Sequence, residues 1–267
     1  MKQLIVLLSM LAFVHTAAAL DAKDVRGGWE TDINGVRHIY EFKIRGDRVT
    51  GVYCTDCSDA TTLAFIEGSL GADGISFVVT HVKNDGSTAY QDHATGKIDN
   101  NGQLMVTGHS GAPGGGQFQW TMHKDPRGPT PPAPAGARPP PPHYLQPAAW
   151  ESLTPEKLEG TWLAGSGPNK QYFIIRKVGD QLRGVACGPC DNPYTMGMLE
   201  EFFVQGDGVL FDVCHEDWGN GPLPYLHKVI AHVAKNEMRM DAAQDNMKRI
   251  FSMTLIGPLA PEATARQ

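Results

Sequence analysis

The chain has 267 residues, with 23 basic and 29 acidic side chains, and carries a formal net charge of −6 at neutral pH. A modestly acidic chain is not suited to nucleic acid or an anionic membrane surface as its main partner. No stretch approaches the roughly 18 consecutive apolar residues of a membrane-spanning helix, so no membrane span is expected.

The first 19 residues have the features of a secretory signal peptide. Lys2 supplies a positive charge, residues 4–14 form a short apolar stretch, and the alanines at 17–19 provide a small-residue cleavage site. The sequence therefore predicts export to the periplasm or the medium, with the mature chain beginning near Leu20.

The remainder of the sequence contains two copies of one pattern. Trp29 aligns with Trp162 and Cys54 aligns with Cys187, both 133 positions apart. The alignment runs without a gap for about 30 positions. Internal repetition of this kind predicts two units of the same fold.

Composition sets the boundaries between these units. The segment 125–150 is rich in proline, and such segments form extended spacers rather than packed cores. The first repeat then spans 20–124, the second 151–259, and a short tail 260–267. Each repeat has the size of an ordinary single domain.

Apolar residues alternate with polar ones in both repeats, and a period of two predicts β-strands. One such strand places on a single face Ile75, Phe77, Val79 and His81. Gly-Asp, Asp-Gly and Asn-Gly pairs separate the strands and are typical of hairpin turns. We expect an all-β chain of two tandem antiparallel barrels, each with about eight strands, because closure leaves no strand edge unpaired.

Both repeats open with a glycine–X–tryptophan motif, at Gly27 to Trp29 and at Gly160 to Trp162, and a Gly-Asp hairpin follows. These motifs resemble the lipocalin-like barrel domains of secreted bacterial proteins, and the second repeat is also similar to the opening of avidin-type barrels. The resemblance implies that each tryptophan plugs one barrel end. Biotin is not implied, because besides its opening tryptophan the first repeat has only Trp120.

Each repeat carries a Cys-X-X-Cys motif just after a strand, at Cys54 and Cys57 and at Cys187 and Cys190. In an exported protein the motif predicts a local disulfide. Alternatively, the four sulfurs could hold one Zn²⁺ or Fe ion if the barrels pack with these loops facing each other. No other cofactor is expected. The fifth cysteine, Cys214, is interpreted as a small buried thiol.

Histidine, tyrosine and carboxylate side chains recur at matching positions and are expected near the barrel mouths. The acid–base candidates are His38, His81, Tyr90 and Asp92 in the first repeat and His215, Tyr225 and His227 in the second. Such groups in an apolar cup can transfer protons, since desolvation and mutual charge move their pKa values towards neutrality. Alternatively they line a ligand pocket without chemistry, together with Tyr40, Tyr53, Phe77 and Phe211.

Three functions therefore remain open. The first is an exported protein that binds a small apolar or aromatic molecule inside a barrel. The second is a cofactor-independent isomerase, lyase or cyclase, with the more polar first barrel as its site. The third is a metal or redox protein built on the paired cysteines. The glycine-rich segment around Ser110 is interpreted as a flexible loop, since it lacks the strand-to-helix context of a nucleophile elbow.

Overall fold

A computed structural model describes residues 20–124, 152–165, 170–188, 190–192, 195–215, 225–244 and 247–257. The predicted signal peptide, the proline-rich linker and the tail lie outside the described residues. Among the described residues, no helix is long and apolar enough to cross a membrane.

The first repeat is a closed barrel of eight antiparallel strands in chain order. Its strands are β1 (Gly27–Ile33), β2 (Val36–Arg45), β3 (Arg48–Cys54), β4 (Ala64–Gly71), β5 (Gly74–Val82), β6 (Thr88–Ile98), β7 (Leu104–Ser110) and β8 (Gln117–Lys124). A short helix, α1 (Ala22–Val25), precedes β1, and a 3₁₀ turn (Ala60–Thr62) lies between β3 and β4. Pairing of β1 with β8 closes the cylinder.

The second repeat has the same architecture. Helix α2 (Pro155–Leu158) precedes β9 (Gly160–Ala164), β10 (Gln171–Val178), β11 (Gln181–Cys187), β12 (Gly197–Gln205), β13 (Gly208–His215), β14 (Tyr225–Ala234), β15 (Glu237–Gln244) and β16 (Met247–Gly257). Pairing of β16 with β9 closes this barrel. The prediction of an all-β chain with two eight-stranded antiparallel barrels is confirmed.

The opening tryptophan of each barrel is buried and hydrogen-bonded to the short helix before it. Trp29 is buried and its Nε1 donates to the carbonyl oxygen of Val25 in α1, at 2.6 Å. Trp162 is equally buried and its Nε1 donates to the Leu158 carbonyl in α2, at 2.8 Å. A carbonyl oxygen of each short helix therefore accepts the indole N–H hydrogen bond, so that the indole can be buried without an unpaired donor.

The two barrels pack against each other through a shared apolar cluster. It is formed by the outer faces of β2 to β4 and of β10 to β13 and contains both Cys-X-X-Cys motifs. Cys54 is bonded to Cys57 and Cys187 to Cys190, each with 5.1 Å between the Cα atoms. The cysteine loops do face each other, but their sulfurs are joined in two disulfides.

Polar groups complete this interface. The guanidinium of Arg176, a fully buried residue on β10, donates to the carbonyl oxygens of Ala60 and Lys83 in the first barrel. Lys43 pairs with Glu200 across the interface. The contacts of Arg176 give partners to two of its three buried guanidinium nitrogens, while its Nε has none among the described residues.

Candidate functional site

The open end of the first barrel carries a cluster of polar and aromatic side chains. Strand pairing creates it, because His81 on β5 lies directly opposite Tyr90 on β6, and Asp92 lies opposite Ser110 on β7. Alternation along β6 then puts Tyr90 and Asp92 on the same, inward face. We name this group, with His38, Tyr40 and Tyr53, the mouth cluster.

Asp92 is the centre of the mouth cluster. Its Oδ2 is 3.1 Å from His81 Nε2, and its Oδ1 accepts a hydrogen bond from Ser110 Oγ at 2.6 Å. Burial acts to raise the pKa of Asp92, but hydrogen bonds from His81, Ser110 and the Gly111 amide, with the charge of His81, hold it below its ordinary value. The carboxylate is therefore ionised at neutral pH. By accepting a hydrogen bond from Nε2–H, it fixes the orientation of the His81 ring.

His81 keeps one ring nitrogen available. With Nε2 directed at Asp92, no other described residue makes a hydrogen bond to Nδ1. The side chains of His81 and Asp92 are 17% and 18% exposed, so solvent or a small molecule can reach them. A histidine oriented by a carboxylate and free at its second nitrogen has the arrangement of a general base.

His38 and Tyr53 form a second polar pair in the mouth cluster. His38 Nδ1 is 2.7 Å from the Tyr53 hydroxyl. Burial lowers the pKa of His38, and the charge of Asp32 only partly opposes it. Burial also raises the pKa of Tyr53, with smaller contributions from Tyr90 and Asp92. Tyr53 is therefore a protonated phenol, and in the tautomer in which His38 Nδ1–H donates to the phenol oxygen, the phenol proton is available to another acceptor.

The aromatic rings of the mouth cluster are in contact with one another. His81 stacks on Tyr90 with 4.1 Å between ring centroids, and Tyr53 meets the His81 ring edge-on at 5.4 Å. Tyr40 lies 4.9 Å from Tyr53, and burial raises its pKa. The cluster thus forms one packed aromatic wall with its polar atoms at defined positions, which restricts their rotation.

A further polar atom points into the first barrel. The Nε1 of Trp120 on β8 is buried and has no hydrogen-bond partner among the described residues. Its ring stacks on Phe118 at 4.0 Å. A buried donor without a partner is costly, and a ligand that accepts a hydrogen bond would relieve this cost.

The second barrel repeats the strand pairing of the first. His215 pairs with Tyr225, as His81 pairs with Tyr90, and His227 lies two positions further along β14. The side chains of these three residues lie outside the described part of the structure. The positions of Tyr40 and Tyr53 are occupied here by phenylalanine and alanine. The contacts of Tyr40 and Tyr53 thus have no tyrosine counterpart at the matching positions of the second barrel.

Two predicted lining residues lie in the packed cores. Phe77 is 2% exposed and meets Phe42 edge-on, and Phe211 is 2% exposed and stacks on Phe202. Ser110 was not among the predicted site residues, although the structure brings it to Asp92. The strand register that makes this contact depends on the length of β6 and β7, which the sequence pattern did not fix.

The part of the chain that the structure describes contains no cluster of three or more histidine, cysteine, aspartate or glutamate side chains able to hold a metal ion. Two concavities lie outside the barrels. One, of about 700 Å³, is on the outer face of β5 to β8; the other, of about 670 Å³, lies between the barrels. No protein-family model, curated protein or solved structure matches this chain, so its lipocalin-like character remains a resemblance of motifs.

Proposed function

We propose that the first barrel binds a small apolar or aromatic molecule at its mouth and performs cofactor-independent acid–base chemistry on it, as an isomerase or lyase. The observation that carries this proposal is the contact of His81 with the ionised Asp92, which leaves the second ring nitrogen unpaired. His81 is the base, Asp92 orients it, and Tyr53 is the donor to the developing negative charge.

A carrier that binds such a molecule without transforming it is the second candidate. The stacked wall of His81, Tyr90 and Tyr53 and the unpaired Nε1 of Trp120 support it, since rings and one buried donor suffice to hold an aromatic ligand. The two disulfides fit an oxidising compartment, and we propose that the protein works in the periplasm or outside the cell.

A nitrobenzisoxazole is a suitable probe for both candidates. It is a flat aromatic molecule; a base removes its ring C–H proton, the N–O bond breaks, and a coloured cyanophenolate is released. We expect the protein to accelerate this reaction beyond free imidazole at equal concentration. His81→Ala should lose about hundredfold of the acceleration with little change in melting temperature, because a positioned base contributes 10²–10⁴-fold.

His123→Ala is the matched control, because this histidine is 50% exposed and lies on β8 outside the mouth cluster. Quenching of tryptophan fluorescence measures binding of the probe independently of turnover. Binding without acceleration would favour the carrier. If the probe is neither bound nor turned over faster, both candidates are overturned.

A further inference from the structure

The outer face of β5 to β8 carries a concavity, and none of its lining residues belongs to the mouth cluster or to the apolar cluster between the barrels. Its concavity of about 700 Å³ is lined by polar side chains that include Thr95, Thr107 and Gln117. Among the described residues that line it there is no carboxylate and no Lys or Arg side chain. A ligand here would be bound by neutral nitrogen and oxygen atoms.

Two histidines face each other in this concavity. His93 on β6 and His109 on β7 are directly opposed in the antiparallel register, and both are exposed. Directly opposed residues have Cβ atoms roughly 4.5–5.5 Å apart. Neither histidine makes a hydrogen bond, ion pair or ring contact with another residue in the described ranges. All four ring nitrogens are therefore available.

The strand pair beneath the histidines holds their spacing. In the next outward-facing row, the hydroxyls of Thr95 and Thr107 are 3.2 Å apart and join β6 to β7. Inside the barrel, Gly108 faces the Phe118 ring so closely that a Cβ on it would lie 2.5 Å from that ring. The two strands cannot move apart or rotate without losing these contacts, so the imidazoles project from a fixed base.

Two imidazoles at this spacing match the needs of a transition-metal ion. Metal–nitrogen distances of roughly 2.0–2.1 Å require the two donor nitrogens to approach within roughly 3 Å, which opposed side chains reach by rotation. Imidazole suits Zn²⁺, Cu²⁺ and Ni²⁺, whereas Ca²⁺ and Mg²⁺ prefer the carboxylates that this concavity lacks. Gln117 pairs with His109 from β8, and its amide oxygen is a third possible ligand.

We propose that His93 and His109 chelate a divalent transition-metal ion on the outer face of the first barrel, with Gln117 beside them and further positions open to water or a small ligand. The site is separate from the mouth cluster and does not depend on the function proposed there. Its open coordination positions face the solvent, since every side chain of this row is exposed.

Isothermal titration of the mature, untagged, metal-free protein with Ni²⁺, and then with Cu²⁺ and Zn²⁺, tests the proposal. We expect one ion per chain. Loss of a residue that only hydrogen-bonds a metal ligand lowers metal affinity roughly 10–100-fold. Loss of a ligand itself, in His93→Ala or His109→Ala, should therefore weaken binding by at least roughly tenfold. The metal should also raise the melting temperature of the unsubstituted protein but not that of the double variant.

His123→Ala, which removes another exposed histidine of the same barrel, should bind the metal as tightly as the unsubstituted protein. Because His93 and His109 are exposed, circular dichroism of their variants should be unchanged. The proposal is overturned if His93→Ala and His109→Ala bind the metal as tightly as the unsubstituted protein, or if the unsubstituted protein binds no metal. Loss of the metal in His81→Ala instead would also overturn it, because it would locate the ion in the mouth cluster.

Discussion

At the scale of single residues, the mouth cluster separates ionised from neutral groups. Asp92 has hydrogen-bond donors on both carboxylate oxygens, so its charge is favoured in spite of partial burial. His38 has a phenol beside it, and the charge of Asp32 only partly opposes desolvation, so burial favours its neutral form. The pKa values of Asp92 and His38 are thus both lowered, for different reasons. Perturbed pKa values of this kind are typical of functional sites.

The pKa of His38 predicts a specific pH dependence of stability. Its folded-state value is lower than its unfolded value of roughly 6.5, so its contribution is complete above that pH and is lost as the pH falls through the folded value. His38→Gln, which introduces the residue found at the matching position 171, should reduce the loss of unfolding free energy between about pH 7 and about pH 5 by about 0.5 kcal/mol, since the ring is partly screened by solvent.

Urea unfolding at several pH values measures this difference. Gln119→Ala, at an exposed position of β8 whose side chain does not titrate, should keep the slope of the unsubstituted protein. Identical slopes for His38→Gln and the unsubstituted protein would show that His38 has the same protonation in the folded and unfolded states.

At the scale of strands, alternation of apolar residues was enough to predict the inward faces. It predicted that His81, Tyr90 and Asp92 share one face, and in the structure His81 contacts Asp92 and stacks on Tyr90. It could not predict which inward residues touch, since contacts across the mouth depend on strand register and on the loops between strands. The Ser110 contact with Asp92 is the example: it follows from the pairing of β6 with β7, and not from any local pattern.

The close approach of paired strands, β2 to β3 and β10 to β11, requires glycine at one matching position in each repeat. A Cβ on Gly51 would lie 2.1 Å from the Glu41 carbonyl oxygen, and a Cβ on Gly184 would lie 2.1 Å from that of Ile174. Gly51→Ala and Gly184→Ala should therefore each lower the free energy of unfolding by about 2 kcal/mol, because a backbone atom must move. Chemical denaturation measures the loss.

Gly71→Ala is the control for this pair of variants. Gly71 also lies in a strand of the first barrel, but the nearest atom to its added Cβ would be 3.7 Å away, at an ordinary contact distance. Its stability should change by less than about 1 kcal/mol. An equal loss of unfolding free energy in all three variants would indicate that the effect comes from the backbone preference of glycine rather than from the close approach of the paired strands.

At the scale of the whole molecule, the sequence repeat predicted two barrels but not how they pack. The interface uses the outer faces of strands, and a pattern with a period of two does not distinguish an outer face that meets solvent from one that meets a second barrel. The buried Arg176 is an example, since its position on β10 predicts only an outward-facing polar residue. Its partners, the Ala60 and Lys83 carbonyls, lie roughly a hundred residues earlier in the chain.

Arg176 should therefore control whether the barrels unfold together. Arg176→Ala removes two charge-assisted hydrogen bonds across the interface and creates a cavity, while Ala60 and Lys83 keep the backbone donors Leu63 and Gly86, so we expect a loss of about 2 kcal/mol. Differential scanning calorimetry should show one transition for the unsubstituted protein and two for the variant, because each barrel has its own core. Lys177→Ala, at the next position of β10, removes only a surface ion pair with Glu156 and should keep the single transition, within about 1 kcal/mol of the unsubstituted stability. A single transition in Arg176→Ala would mean that the remaining interface contacts, the shared apolar cluster and the Lys43–Glu200 pair among them, couple the barrels without it.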